Sequence, residues 1–411
     1  MKKYSVLLVS FIFFLSHISA QSNKFFRTNG KKIIAPGGHD FLIRGTNLGN
    51  WLVPEGYMFR LGQVSSARLI NEAFTELIGK VEADKFWKKF LDNYITENDI
   101  IYLKSVGINS LRLPFNYRLF SKENYMGASD DQRGFTYFDK LIGWCRKQNI
   151  YIILDMHCAP GGQTGDNIDD GYGYPFLYDS EPDQQLTVNI WTKIAARYKN
   201  EPMILGYDLL NEPIATYFDP NLFNSKLELL YKRITKGIRS VDKNHIIILG
   251  GAQWDSNFKI FGAPFDNKVV YTFHKYWTPA TQSVIQDYID FGIKYNVPIY
   301  CGETGENTDS WVDSFRVVLE KNNIGWHFWP YKKPNNIRGF VQFQTPASYD
   351  SVISYAEKNR SNFEMIRAAR PKDMQQIKMA LDQYLNNCRF KNCTPNKGYI
   401  SALGLKPKDI N

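Results

Sequence analysis

Two glutamates in this chain stand where a side chain can act on a ligand. The apolar run Met203–Leu210 breaks into Asn211-Glu212, and Pro213 ends any ladder the run forms. A second apolar run, Val297–Cys301, breaks into Gly302-Glu303-Thr304-Gly305-Glu306. Continuous apolar runs of this length read as strands buried on both faces. Each carboxylate therefore belongs at the mouth of a barrel or sheet, not in its core. Alone, the first stretch also reads as an ordinary turn, since Asn, Glu and Pro are common there. Together the two supply what cleavage of a glycosidic bond needs. One carboxyl must be a protonated acid near the leaving oxygen, and the other an ionised nucleophile or base across the sugar.

The elements that hold them can be traced along the chain. Lys24–Arg27, Lys32–Ala35 and Phe41–Arg44 alternate polar and apolar around Asn29-Gly30 and Pro36-Gly37-Gly38. They predict a hairpin that plugs a barrel floor and runs into the first barrel strand. After that strand Asn47, Trp51 and Glu55 can face a ligand, with core packing the other place for Trp51. Ser65–Asn93 is helical by period, and Thr96-Glu97-Asn98-Asp99 reads as a capping box opening a helix that ends near Gly107. Strands follow at Ile108–Pro114, Ile150–Asp155, Met203–Leu210, His245–Gly250, Lys268–His274, Val297–Cys301 and Gly325–Trp329. Helices at Phe138–Gln148, Gln184–Tyr198, Leu222–Ser240, Thr281–Tyr295 and Trp311–Lys321 separate them. Strands alternating with helices in this way predict the α/β class and a (β/α)8 TIM barrel with an N-terminal hairpin plug and loop insertions. A closing helix at Asp350–Glu357 and another at Met374–Asn386 place a helical extension at about residues 357–411. No linker or shift of composition marks a second domain, so residues 21–411 read as one.

In such a barrel, active residues gather at the C-terminal ends of the strands. Those ends deliver Asn47 and Glu55, Arg112, His157, Asn211 and Glu212, His274 and Tyr276, Glu303, and Trp329. The Gly- and Asp-rich stretch Ala159–Pro175 reads as a long loop on the same face, and with the insertion Pro54–Asn93 it is expected to border the cleft and set its length. The acidic run Asp166–Asp170 lacks the later glutamate of a calcium loop and reads as a solvated rim.

From about Phe41 to Tyr331 this pattern resembles glycoside hydrolase family 5, in the clan of retaining β-glycosidases. The resemblance implies that Glu212 is the acid/base and Glu303 the nucleophile. It implies that Arg112 and Tyr276 touch the nucleophile, Arg112 favouring its ionised form. Asn211 would bind the sugar's 2-hydroxyl, His157 its other hydroxyls, and Trp329 would be the stacking floor. His274 and Tyr276, in HKY, match the family's His-x-Tyr, and Glu55 would also bind substrate. RGTNLGNWLVPEGYM is similar to RG-x-NLGGW-x-x-x-E of the exo-β-1,3-glucanase group, and DMHCAPGGQTG to its D-x-HGAPGSQNG. Asn50, Cys158 and Gly162 depart from those patterns, as does the basic loop WPYKKPNNIRG after Trp329. The resemblance thus implies a retaining β-glycosidase acting on β-1,3-glucan, a related β-glucoside or an oligosaccharide, without metal or organic cofactor. An endo-β-1,4-glucanase or mannanase with the same residues, and a non-catalytic carbohydrate-binding barrel, are the other readings.

Composition bounds the partners. The chain has 411 residues and a formal charge of +9, but its basic residues are scattered, with no arginine-rich run among aromatics, which argues against nucleic acid. Met1-Lys2-Lys3, the apolar Tyr4–Leu15 and the small residues Ser16–Ala20 read as a signal peptide cut after Ala20. That predicts a secreted or periplasmic protein without a membrane anchor, taken as a monomer. Of the five cysteines, Cys145, Cys158 and Cys301 read as buried thiols, while Cys388 and Cys393 are close enough for a local bridge. No second histidine stands at metal-ligand spacing from His157, and none is expected to bind a metal.

Overall fold

A computed structural model describes residues 24–410; the expected signal peptide lies outside them. Eight parallel strands close into a barrel: Arg44–Asn47, Ser110–Asn116, Tyr151–Cys158, Ile204–Asp208, Ile246–Gly250, Val269–Lys275, Ile299–Gly305 and Gly325–Trp329. The eighth closes on the first, with Trp326 opposite Arg44 and Phe328 opposite Thr46. Most strands are buried along their whole length, as is Ile246–Gly250, because a parallel strand in a barrel is covered on both faces. Helices such as Arg133–Gln148, Glu181–Tyr198 and Pro220–Arg239 form the outer ring and bury one stripe each.

The N-terminal hairpin pairs Arg27–Asn29 with Lys32–Ile34. Its Phe26, Ile33 and Ala35 join Ile43 and pack on Ile153, Leu205, Ile246, Ile248, Val270 and Tyr300, sealing the floor with hydrocarbon as the sequence predicts. The capping box is also present: Asp99 Oδ2 accepts the Thr96 backbone N–H at 2.8 Å, and Gly107 ends the helix in a left-handed turn at φ 113°.

Several boundaries differ from those read in the sequence. The fourth strand stops at Asp208, so Asn211 and Glu212 sit in the loop beyond it, whereas the seventh runs through Glu303 to Gly305. The single helix expected over Ser65–Asn93 is two, Ala67–Ile78 and Lys80–Asn93, broken at Gly79, whose φ of 82° interrupts the helix. These helices pack on one another and on the C-terminal helix Met374–Asn387 through Phe59, Phe74, Trp87, Phe90 and Tyr384. Trp51 joins the core: it is fully buried and its Nε1 donates to Leu91 O at 2.9 Å. The basic stretch after Trp329 is a loop only in part, with Asn335, Ile337 and Arg338 exposed. Lys332–Pro334 pairs with Val341–Phe343, which pairs with Thr394–Pro395. Lys332 is buried there because Asp99 lies 2.7 Å from its ammonium. Cys388 and Cys393 are both buried free thiols rather than a bridge, as are Cys145, Cys158 and Cys301. Among the described residues, no helix is long and apolar enough to cross a membrane.

Candidate active site

The site is built outward from one guanidinium. Arg112, on the second strand, is fully buried and gives its donors to groups from the first, third, fourth and seventh strands. Nε donates to Asp208 Oδ2 at 2.8 Å, and Nη1 to Asn47 Oδ1 at 3.2 Å and Glu303 Oε1 at 2.5 Å. Nη2 donates to Asn211 Oδ1 at 2.8 Å and lies 3.1 Å from Asp155 Oδ1. Burial opposes the charge on Arg112, but Asp155, Asp208 and Glu303 outweigh it and raise its pKa. Burial in turn pushes Asp155 and Asp208 up to about 7, with Arg112 pulling both down.

Glu303 is held on two sides. Besides Arg112, the Tyr276 hydroxyl donates to its Oε2 at 3.0 Å. Glu212 meets no arginine or lysine. Its side chain, 12% exposed, shares a 2.9 Å hydrogen bond with His274 Nδ1, and burial pushes its carboxyl up to about 7. Burial is the leading cause; the neighbouring His157 and Arg112 favour the ionised form and Asp166 opposes it. Burial pushes His274 down to about 3 and His157 down to about 4, so both rings are neutral. Oxygens of Glu212 and Glu303 and a nitrogen of His274 all lie within 4.8 Å of one another. These three could in principle bind a metal, but His274 Nδ1 already serves Glu212, and Glu303 already serves Arg112 and Tyr276.

The loops aim these groups. Glu212 has φ 44° and Ile214 φ 57°, a left-handed backbone that costs energy for non-glycine residues and most for a β-branched one. The loop after the third strand holds that conformation. Thr164 Oγ1 donates to Glu212 O at 2.8 Å, Ile214 N to Gln163 O at 2.9 Å, and Ala215 N to Thr164 O at 3.0 Å. Gln163 Nε2 also bridges His157 O and Asn211 O, both at 2.8 Å. From the fifth strand's loop, Asp255 Oδ2 accepts the Glu212 N–H at 3.1 Å. The same acidic loop departs from the solvated rim expected of it, since Asp169 and Asp170 are each 1% exposed. Asp169 accepts the N–H groups of Thr164, Gly165 and Gly171, and Asp170 pairs with Arg118 at 2.8 Å. Buried carboxylates of this kind shape a loop.

The cleft above has a volume of about 580 Å³. Glu55, His157, Glu212, His274, Tyr276, Glu303 and Trp329 all line it, while Arg112 and Asn211 lie beneath. His157 accepts a 2.8 Å contact from Asp155 on Nδ1 or donates to it, and its ring stacks on Trp329 at 5.8 Å. Gly49 leaves room for that indole, because a Cβ there would meet it at 2.5 Å. The loop Ala159–Pro175 reaches the cleft through Ile168, and the insertion after the first strand through Glu55 and Tyr57; its two helices stay with the C-terminal extension. The sequence does not single out Gln163, Thr164 and Tyr57, although they lie in the two family-like stretches, nor Trp254, Asp255 and Trp277, which lie beyond the strand ends.

A closed parallel barrel with paired carboxylates at its C-terminal mouth has the architecture of a glycoside hydrolase enzyme. The family model "Cellulase (glycosyl hydrolase family 5)" matches residues 75–335, and the chain belongs to that family. A beta-xylosidase of Phanerodontia chrysosporium is 32% identical over 269 residues, covering 65% of this chain and 52% of that protein. Endoglucanase C of Acetivibrio thermocellus is 26% identical over 310 residues, covering 60% and 87%. A glucan 1,3-beta-glucosidase of Candida oleophila is 28% identical over 270 residues, covering 60% and 61%. The matched region thus spans about half the beta-xylosidase's own length.

Proposed function

We propose that this protein is a retaining β-glycosidase that hydrolyses β-linked glucan, with β-1,3-glucan or a related β-glucoside as its substrate, by double displacement. The observation that carries the reading is a pair of carboxylates with an oxygen of each within 4.8 Å of the other, one gripped by Arg112 and Tyr276 and the other pushed up to about 7 by burial. A retaining enzyme brings its two carboxyl groups to about 5–5.5 Å, whereas inversion leaves room for a water between them.

In the first step Glu303 attacks the anomeric carbon and the leaving oxygen takes the proton of Glu212, giving a covalent glycosyl-enzyme. Arg112 and the Tyr276 hydroxyl orient Glu303 for attack. In the second step Glu212, now ionised, takes a proton from water, which displaces Glu303 and restores the acid. Asn211, fixed by Arg112, faces the 2-hydroxyl, where a contact strengthens in the transition state. Trp329 supports the ring from below, and His157 and Glu55 take further hydroxyls. The glucan assignment rests on the two sequence stretches around Asn47 and His157 and on the likeness to the Candida protein.

The test is to react the enzyme with a 2-deoxy-2-fluoro-β-glucosyl fluoride and locate the label by mass spectrometry, with product analysis on laminarin, barley glucan, cellulose, mannan and aryl-β-glucosides. Label on Glu303 with retained stereochemistry is expected. An inverted first product would overturn the mechanism. The endo-acting glucanase or mannanase reading would gain if cellulose or mannan were preferred and cut internally. Absence of any turnover would favour a binding barrel.

A further inference from the structure

This inference deepens the glycosidase reading and rests on it: it concerns which part of a glycan the cleft accepts. The two ends of the cleft differ. Two aromatic residues of its lining, Trp254 and Trp277, follow the fifth and sixth strands, and Trp277 is 75% exposed. On the Glu303 side, loops from the seventh, eighth and first strands converge.

Lys332 and Lys333 are neighbours on one strand, so their side chains leave on opposite faces. Lys332 turns from the cleft into the C-terminal extension, donating to Tyr94 O at 2.6 Å and Cys388 O at 3.1 Å beside Asp99. Lys333 turns the other way, toward Tyr57 and Glu306, which line the cleft. Its ammonium lies 4.3 Å from the centre of the Tyr57 ring and pairs with the Glu306 carboxylate, and its side chain is only 10% exposed. Tyr57 is fixed in turn, its hydroxyl accepting Trp329 Nε1 at 2.6 Å, and Arg338 holds Glu306 O at 3.3 Å. Just inside this group lies Glu55, 5% exposed, whose Oε1 has no hydrogen-bond partner. A buried carboxylate oxygen without a donor is costly unless a ligand supplies one. Sugar hydroxyls do.

We propose that the Lys333–Glu306 pair, clasped by Tyr57, is an end wall that stops the cleft beyond Glu55, so that the enzyme accepts the non-reducing terminal sugar of a glycan and rejects internal ones. The sugar bonded to Glu303 sits on this side, and any residue attached to its non-reducing hydroxyls would run into the wall. Wall and pocket come from different parts of the chain, and the wall lies in the stretch that departs from the exo-β-1,3-glucanase pattern. It is a specificity device rather than part of the chemistry. The three-stranded sheet and the buried Lys332–Asp99 pair keep it from yielding.

The test uses laminari-, cello- and manno-oligosaccharides with free or ketal-capped non-reducing ends. The wild type should release one sugar at a time from free ends and cut capped chains slower by at least roughly tenfold, the scale on which a shaped pocket rejects extra groups. Lys333→Ala and Glu306→Ala should bring the capped-to-free ratio toward one and give internal cuts, while Lys333→Arg, which keeps the ion pair, should hold the wild-type ratio. Binding of the same chains to a Glu303→Gln variant, followed by tryptophan fluorescence, should rank them identically without turnover. Equal handling of capped and free chains by the wild type, in cleavage or in binding, would overturn the wall. So would an unchanged ratio in a folded Lys333→Ala variant. Binding confined to free ends with no hydrolysis would instead overturn the glycosidase reading and leave the wall standing.

Discussion

The fourth and seventh strands deliver the same side chain in two different ways. Glu303 lies within its strand, where a register shift against the sixth strand turns it to the mouth beside Arg112 and Tyr276. Glu212 lies four residues beyond Asp208, in a left-handed backbone that Thr164 and Asp255 must hold. One carboxylate is placed by the sheet and meets a cation; the other is placed by loops and meets a neutral imidazole. The proposed double displacement needs such a difference, since an attacking group and a proton donor cannot share one environment.

Removing the sheet-held group should have the largest effect. Glu303→Gln is expected to cost roughly 10⁴-fold or more in kcat on polysaccharide and activated aryl glycosides alike, because no covalent intermediate forms. Steady-state kinetics that left aryl glycosides within tenfold of wild type would end the assignment. Glu212→Gln should break the symmetry. Turnover of glycans falls by roughly 10²–10⁴-fold, while glycosylation by aryl substrates with good leaving groups survives. Azide should rescue Glu212→Ala as a β-glycosyl azide, since a small anion can replace the base. If the aryl first step fell as far as glycan cleavage, the two roles would have to be exchanged or abandoned.

Arg112 sharpens the comparison from the side of stability. Arg112→Ala leaves Asp155, Asp208 and Glu303 buried without their cation, a loss of roughly 3–5 kcal/mol in denaturant unfolding on the scale measured for broken buried pairs. Unfolding within 1 kcal/mol of wild type would mean that these carboxyls are already protonated in the fold. The pH profile tests the loop-held group. A carboxyl pushed up to about 7 carries its proton below that pH and loses it above. Glycan turnover should therefore fall as pH rises through about 7, while a fluoride leaving group, which needs no proton, keeps its first-step rate over the same range. Asp155 and Asp208 are also pushed up to about 7, so the limb belongs to the coupled group rather than to one residue. The smallest effect is expected at Thr164→Val. It removes one hydrogen bond to Glu212 O, worth ~0.5–1.5 kcal/mol, and should slow glycan cleavage by no more than about tenfold. A thermal melt with a kinetic assay on the same sample would separate misplacement from unfolding.

The sequence by itself determined the barrel and most of its mouth. Apolar runs alternating with helical periods leave few other ways to cover every strand on both faces, and polar residues at the run ends can only face the opening. Glu55, His157, Glu212, His274, Tyr276, Glu303 and Trp329 line the cleft for that reason, while Arg112 and Asn211, expected beside them, lie buried beneath it; the hairpin floor was legible too. Trp51, by contrast, sits in the same stretch as Glu55 and is buried, because which side of an irregular segment faces inward depends on the helices laid against it. Only the tertiary structure decided how the loops act. Gln163, Thr164 and Asp255 hold a backbone more than 40 residues away in the chain, and no local pattern records such a bond. The acidic run at Asp166–Asp170 and the basic run after Trp329 both look solvated in one dimension. Asp170 is buried because Arg118 meets it, and Lys332 because Asp99 does, and a charge can leave water only where a partner from elsewhere in the chain is waiting.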